Sequence, residues 1–209
     1  FHKDVCAELL QEDGLSVLGR GLGIHSIVMR FIKLYCSKKH LVFVLNVPYE
    51  RQLQIRSELQ VEGVSKLPSI IVETTSEERA KIYKQGGVVF VSSTVLALDL
   101  LKKNLRTHII AGFLVTEAHR VIDGTQEHFI LTLYRQTNTV GFIKAFTEIV
   151  PRLTGSYNKI ENIMSSLYVK QLYLWPRFHS KVSESLEKRA PEVIELHISL
   201  SPSMKQIQA

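Results

Sequence analysis

The chain has 209 residues, 45% of them hydrophobic and 22% charged, with a formal net charge of +6. That is ordinary globular composition, with apolar material for a substantial core in one large domain or two small ones. No apolar run approaches the roughly 20 residues of a bilayer-spanning helix, so no membrane partner is expected. Cys6 and Cys36 lack metal-type spacing, which argues against both a disulfide framework and a zinc site and fits a reducing compartment. The chain begins at Phe1 without a signal-peptide pattern, and a segment of a longer protein is the expectation. Residues 1–100 carry 12 Lys/Arg against 11 Asp/Glu, and residues 101–209 carry 14 against 9. The excess basic charge lies in the second half, which suits a polyanion partner there.

Residues 15–18 read as a short buried strand, followed by a glycine-rich turn and a helix that starts at Ile24. Residues 41–46 are an apolar run of β-formers, and residues 50–62 follow at helical spacing, with Leu53 and Leu59 on the apolar face and Gly63 as the stop. Residues 70–72 are the next strand candidate; Thr75 with Glu78 has capping-box spacing, opening a helix that ends at Gly86. Residues 88–92 read as a strand and 93–104 as a helix, with Lys102 and Lys103 in its last turn. A buried strand over 108–115, a helix that follows Gly124 and runs through Gln136, and a strand over 142–146 continue the alternation. Alternating strands and helices predict parallel βαβ units and a sheet covered on both faces. Such sheets place ligands at the carboxyl ends of their strands.

Beyond Thr154 the spacing changes. Residues 160–167 look helical, 168–174 strand-like, 177–189 an amphipathic basic helix and 193–200 a strand. The final stretch, SPSMKQIQA, starts a helix with Ser201 as N-cap and Pro202 at the first helical position.

The turn GLSVLGRGLGIHS occupies the place where a phosphate-binding loop holds ATP. Such a loop needs a last glycine for close backbone approach, a lysine for the phosphates and a hydroxyl for magnesium. Gly19 and Ser26 fit that spacing, but Ile24 stands at the last glycine and His25 at the lysine. On these residues alone, a simple strand-to-helix turn is the better reading. Further on, the strand over 108–115 runs into TEAHR. In DEAH-type ATPases this place supplies an Asp for magnesium and a Glu for the attacking water. Glu117 and His119 match, while Thr116 stands at the Asp, and a hydroxyl does not replace an anionic ligand for a hard cation. The AFT of residues 145–147 reads as a strand end.

The stretches RGLG (20–23), QGGVVFVSS (85–93), AHRVI (118–122), EHFILTLYRQ (127–136), GFIKAFT (141–147), LYLWPRFH (172–179) and PEVIELHISLSPSM (191–204) cover nearly the whole chain. On them the sequence resembles the N-terminal helicase-like region of the XPF family of DNA repair endonucleases. The resemblance implies an α/β fold, a RecA-like parallel sheet flanked by helices on both faces, with the decayed ATPase of a superfamily-2 helicase. Residues 1–200 would be the first RecA-like domain and 201–209 the start of a helical insertion. The degenerate nucleotide site would comprise Gly19, Gly21, Gly23, His25, Ser26, Thr116, Glu117 and His119. The resemblance also implies a nuclear protein of nucleotide excision and interstrand crosslink repair. Its nuclease domain, with the magnesium, and its helix-hairpin-helix region, with a small obligate partner subunit, lie further along the family's chain. No catalytic residue, metal or cofactor is expected within this segment.

Three functions are compatible with these residues. The first is a non-catalytic module engaging forked, single-strand/double-strand DNA junctions. The second is a docking platform for repair scaffold and damage-recognition proteins. The third, an active ATP-dependent translocase, needs the lysine and the aspartate that are not there. DNA would lie at loops that end strands and start helices: NVPYER, with Asn46, Pro48 and Arg51, and SST, with Ser93 and Thr94. Ser93 and Thr94 read equally well as caps of their own helix. Tyr173, Trp175 and Phe178 beside Arg177 read either as a base-stacking group or, more ordinarily, as a strand end packed into the core. The segment 172–189, aromatic and basic, is the expected docking surface. His108, His119, His128 and His179 lack metal-ligand spacing. Asp123 and Glu127, four apart, do not form a nuclease motif, since two-metal hydrolysis needs several clustered carboxylates.

Overall fold

Short apolar strands separated by helices pair side by side and in parallel, because each helix carries the chain back to the starting edge. The computed structural model describes residues 1–37, 40–155, 157–188, 194–199 and 201–208. Its strands are β1 (Gly14–Leu18), β2 (Leu41–Leu45), β3 (Ser69–Ile70), β4 (Gly87–Phe90), β5 (Ile110–Val115), β6 (Phe142–Thr147) and β7 (Gln171–Trp175). They form one sheet in the order β3-β4-β2-β5-β6-β1-β7, parallel at every pairing.

The helices are α1 (His2–Gln11), α2 (Ile24–Tyr35), α3 (Tyr49–Val61), α4 (Ser76–Gln85), α5 (Ser93–Leu101), α6 (Gln126–Thr137), α7 (Lys159–Ser166), α8 (Ser180–Glu187) and α9 (Pro202–Gln208). One core contains Phe43 of β2 and Phe113 of β5 with Tyr83, Leu96, Tyr134 and Ile163 from α4 to α7. The other contains Val42, Val44 and Leu114 with Val5, Ile27, Ile55 and Val182 from α1, α2, α3 and α8. Successive strand residues thus enter opposite cores, which is why β2 is apolar at every position rather than alternating.

The α/β sheet is as expected, and its differences from the sequence reading have local causes. Helix α1 was not anticipated; Val5 and Leu9, both buried, are its only strong apolar signal. The buried residues of α3 are Ile55 and Leu59, while Leu53 is exposed. Strand β3 stops at Ile70, and Val72 beyond it is exposed. Helix α5 ends before Lys102, and residues 107–109 form a tight turn before β5. Tyr168 takes positive φ after α7, so β7 starts only at Gln171.

Helix α8 is shorter than the basic segment, leaving Arg177 in the loop before it, and residue 189 lies outside the described residues. The expected strand over 193–200 is absent from its described part, 194–199, where Ile194, Leu196 and Ile198 are exposed and pair with no sheet edge. Residues 193 and 200 lie outside the described residues. Helix α9 starts as read, with the Met204 N–H donating to the Ser201 hydroxyl at 3.3 Å.

Candidate functional site

The glycine turn joins β1 to α2 at the carboxyl edge of the sheet. Gly21 and Gly23 hold φ of +80° and +79°, a region that strains any residue with a Cβ. Leu22 between them is buried and anchors the turn in the core. Two side chains then close it. His2 Nε2 donates to the Leu22 carbonyl at 2.7 Å, and Arg177 Nη2 donates to the Arg20 carbonyl at 2.8 Å. The Gly19 N–H donates to the Trp175 carbonyl at 2.9 Å.

His25, at the lysine position, meets Glu58 of α3 through Nε2 at 3.0 Å. That hydrogen bond is the main cause holding the Glu58 carboxyl below the ordinary carboxylate range. Ser26 is exposed on the first turn of α2.

At the end of β5, the Thr116 hydroxyl donates to the carbonyls of both Leu45 and Asn46 at 3.0 Å, stitching β5 to the end of β2. Glu117 follows at φ +47° and accepts from Arg120 Nη1 at 2.9 Å. His119 is buried, and its Nδ1 shares a 2.9 Å hydrogen bond with the Thr147 hydroxyl at the end of β6. Burial pushes the His119 ring below its ordinary pKa, a loss that the Glu117 carboxylate only partly offsets.

The sequence reading kept the nucleotide-type residues apart from Asn46, Pro48 and Arg51. The fold brings His25, Thr116, Glu117 and His119 into one cleft facing the β2–α3 loop, while Gly19, Gly21, Gly23 and Ser26 do not line it. Its cavity of ≈ 150 Å³ is below the roughly 300–1,000 Å³ of common small-molecule sites. Asn46 sits at φ +62°, its buried Nδ2 without a hydrogen-bond partner. Arg51 is exposed at the rim and donates to Gln54 at 2.8 Å.

Ser93 borders a neighbouring crevice, at the ends of β2 and β4. The cap of α5 is Ser92, which accepts from the Val95 N–H. Ser93 and Thr94 instead donate to Glu127 at 2.7 Å and to Gln126 at 2.9 Å, on the first turn of α6. Sequence reasoning missed Thr147, His2 and Arg177 as parts of this edge. Thr147 had a signal in the AFT stretch; the other two had none, because the fold alone brings them to the turn.

Among the described residues, no group of three or more His, Cys, Asp or Glu side chains is placed to hold a metal. Nor is any helix there long and apolar enough to cross a membrane. Cys6 and Cys36 are free thiols.

No protein-family model matches the chain. Along all 209 residues it is 42% identical to the DNA repair endonuclease XPF of Cricetulus griseus and 41% identical to that of Mus musculus. It is 33% identical to the DNA repair protein rad16 of Schizosaccharomyces pombe over 210 aligned residues. The chain spans 23% of the length of the first two relatives and 24% of the third. Among solved structures it resembles the Hef helicase domain of Pyrococcus furiosus, with a TM-score of 0.72 over 88% of this chain and 39% of that one. At 19% identity that likeness concerns the fold.

Proposed function

We propose that this chain, homologous over its whole length to the helicase-like part of XPF-type DNA repair endonucleases, is a non-catalytic module that engages junctions between single- and double-stranded DNA. The observation that carries it is the internal use of the two positions where the lysine and the magnesium-binding carboxylate would stand. His25 is paired with Glu58, and the Thr116 hydroxyl is spent on two backbone carbonyls. A magnesium–nucleotide does not fit these residues, since neither a lysine nor an anionic magnesium ligand stands at its place.

What remains at this edge suits a nucleic-acid backbone. Helix α3 starts at Pro48 with no side chain capping it, so its first N–H groups are free for phosphate oxygens, with Arg51 beside them. Ser93 and Thr94 would contribute only by giving up their bonds to α6. Contacts of this kind ignore base sequence and weaken steeply with salt.

Residues 1–200 form the first RecA-like domain in this reading, with α9 opening a helical insertion. The nuclease chemistry, its magnesium and the small partner subunit belong to other parts of the protein, which acts in the nucleus. The second reading, a docking platform for repair scaffold and damage-recognition proteins, draws on the exposed Leu174 and Phe178 of the 172–189 segment.

The test is titration of the chain against forked, single-stranded and duplex DNA at two salt concentrations. Arg51→Glu with Thr94→Ala should weaken forked and single-strand binding with the fold intact. Unchanged binding by that double variant at low salt would move the DNA elsewhere and favour docking.

A further inference from the structure

The aromatic trio near Arg177 is divided by the fold. Trp175 is 3% exposed and belongs to the core, Tyr173 is half-buried, and Phe178 is 87% exposed. Phe178 is presented by a fixed turn rather than by a loose end. The Trp175 carbonyl accepts from Gly19, the His179 N–H donates to the Pro176 carbonyl at 3.0 Å, and the His179 and Trp175 rings lie 4.7 Å apart. The residue before it, Arg177, crosses the glycine turn. Its Nη2 reaches the Arg20 carbonyl and would lie 3.2 Å from a Cβ at Gly21. Arg20 itself is exposed. Among the described residues, neither guanidinium has a carboxylate partner.

We infer that the Gly19–Gly23 turn with Arg20, Arg177 and Phe178 is a contact site for single-stranded nucleic acid, separate from the β2–α3 loop. The inference rests on the DNA-engaging reading above and gives it a second site. Two unneutralised guanidiniums on one turn call for an anion, and Arg177 keeps donors beyond the one it spends on Arg20. A flat, exposed ring next to them suits an unstacked base, which a single strand offers and an intact duplex keeps within its own stack. An acidic peptide would satisfy the arginines but leave the ring in water.

The experiment is fluorescence anisotropy of the 209-residue chain with a labelled oligothymidylate over a range of salt. Phe178→Ala should weaken binding about tenfold and leave the salt dependence as it was, because stacking releases no counterions. Arg20→Ala should lower the slope of log affinity against log salt by about one. Phe178→Trp should bind like the parent, and Lys102→Ala, at the opposite end of α5, should change neither quantity by as much. Far-UV circular dichroism checks each variant's fold. If the parent binds and both Phe178→Ala and Arg20→Ala match it, this site is wrong while the DNA reading stands. If the parent binds no DNA at low salt, both fall.

Discussion

Thr116 shows how a single side chain can close a site. Its hydroxyl is a donor with two carbonyl acceptors at 3.0 Å, and a carboxylate there has nothing to donate. Thr116→Asp, which would put a carboxylate at this position, should therefore destabilise the chain by about 1–3 kcal/mol. It should bring no magnesium-dependent ATP binding. Thermal unfolding and titration calorimetry check the two halves of that expectation.

His119 makes a pH-dependent contribution of defined sign. Well above its ordinary 6.5 the ring is neutral in both the folded and unfolded chains and contributes nothing. As the pH falls through that value, the unfolded chain takes up a proton that the buried ring refuses, so stability drops. The loss stops growing only below the depressed folded value. His119→Asn should flatten the fall in denaturant midpoint between neutral pH and about pH 5.

At the scale of elements, α4 and α5 are joined by a buried ion pair. Asp99, 1% exposed, accepts from Arg79 Nε at 2.7 Å, Arg79 Nη2 at 2.8 Å and the Tyr83 hydroxyl at 2.8 Å. Burial raises its pKa, but the hydrogen bonds from Arg79 and Tyr83 outweigh this and hold the carboxyl below its ordinary value. The pair's contribution is thus present above the ordinary carboxylate range and lost as the pH falls through the folded value. Arg79→Leu leaves a buried carboxylate without its cation and should cost about 3 kcal/mol at neutral pH. Less should be lost in acid, where Asp99 is protonated, and chemical denaturation at the two pH values measures the difference.

The ends of α4 were legible because the Thr75–Glu78 capping box is local in sequence. The Arg79–Asp99 clamp was not, since it forms across the strand between two helices. Helix α1 was missed because only Val5 and Leu9 mark its buried side.

Over the whole molecule, the parallel sheet was legible from its alternating segments because burial on both faces makes a central strand such as β2 a continuous apolar run. The candidate site was legible only in residue types. His25 and Glu58 are 33 residues apart, Thr116 and Asn46 are 70 apart, and Arg177 and Arg20 are 157 apart, and no local pattern announces such pairs. Strand pairing creates them. Ser93 and Thr94 show the reverse: polar residues at a helix start that suit a phosphate in sequence, yet are spent on a neighbouring helix.

The position of β1 in the sheet has a consequence for synthesis on the ribosome. Its neighbours are β6 and β7, so Gly14 faces Lys144 on one side and Gln171 on the other. Strands β2 to β5 can pair among themselves while the chain is still growing, but β1, apolar and destined for complete burial, has no partner yet. At ordinary translation speeds that interval is on the order of ten seconds. Until β6 and then β7 emerge, a nascent chain of this kind carries β1 as an apolar segment whose edges have nothing to pair with.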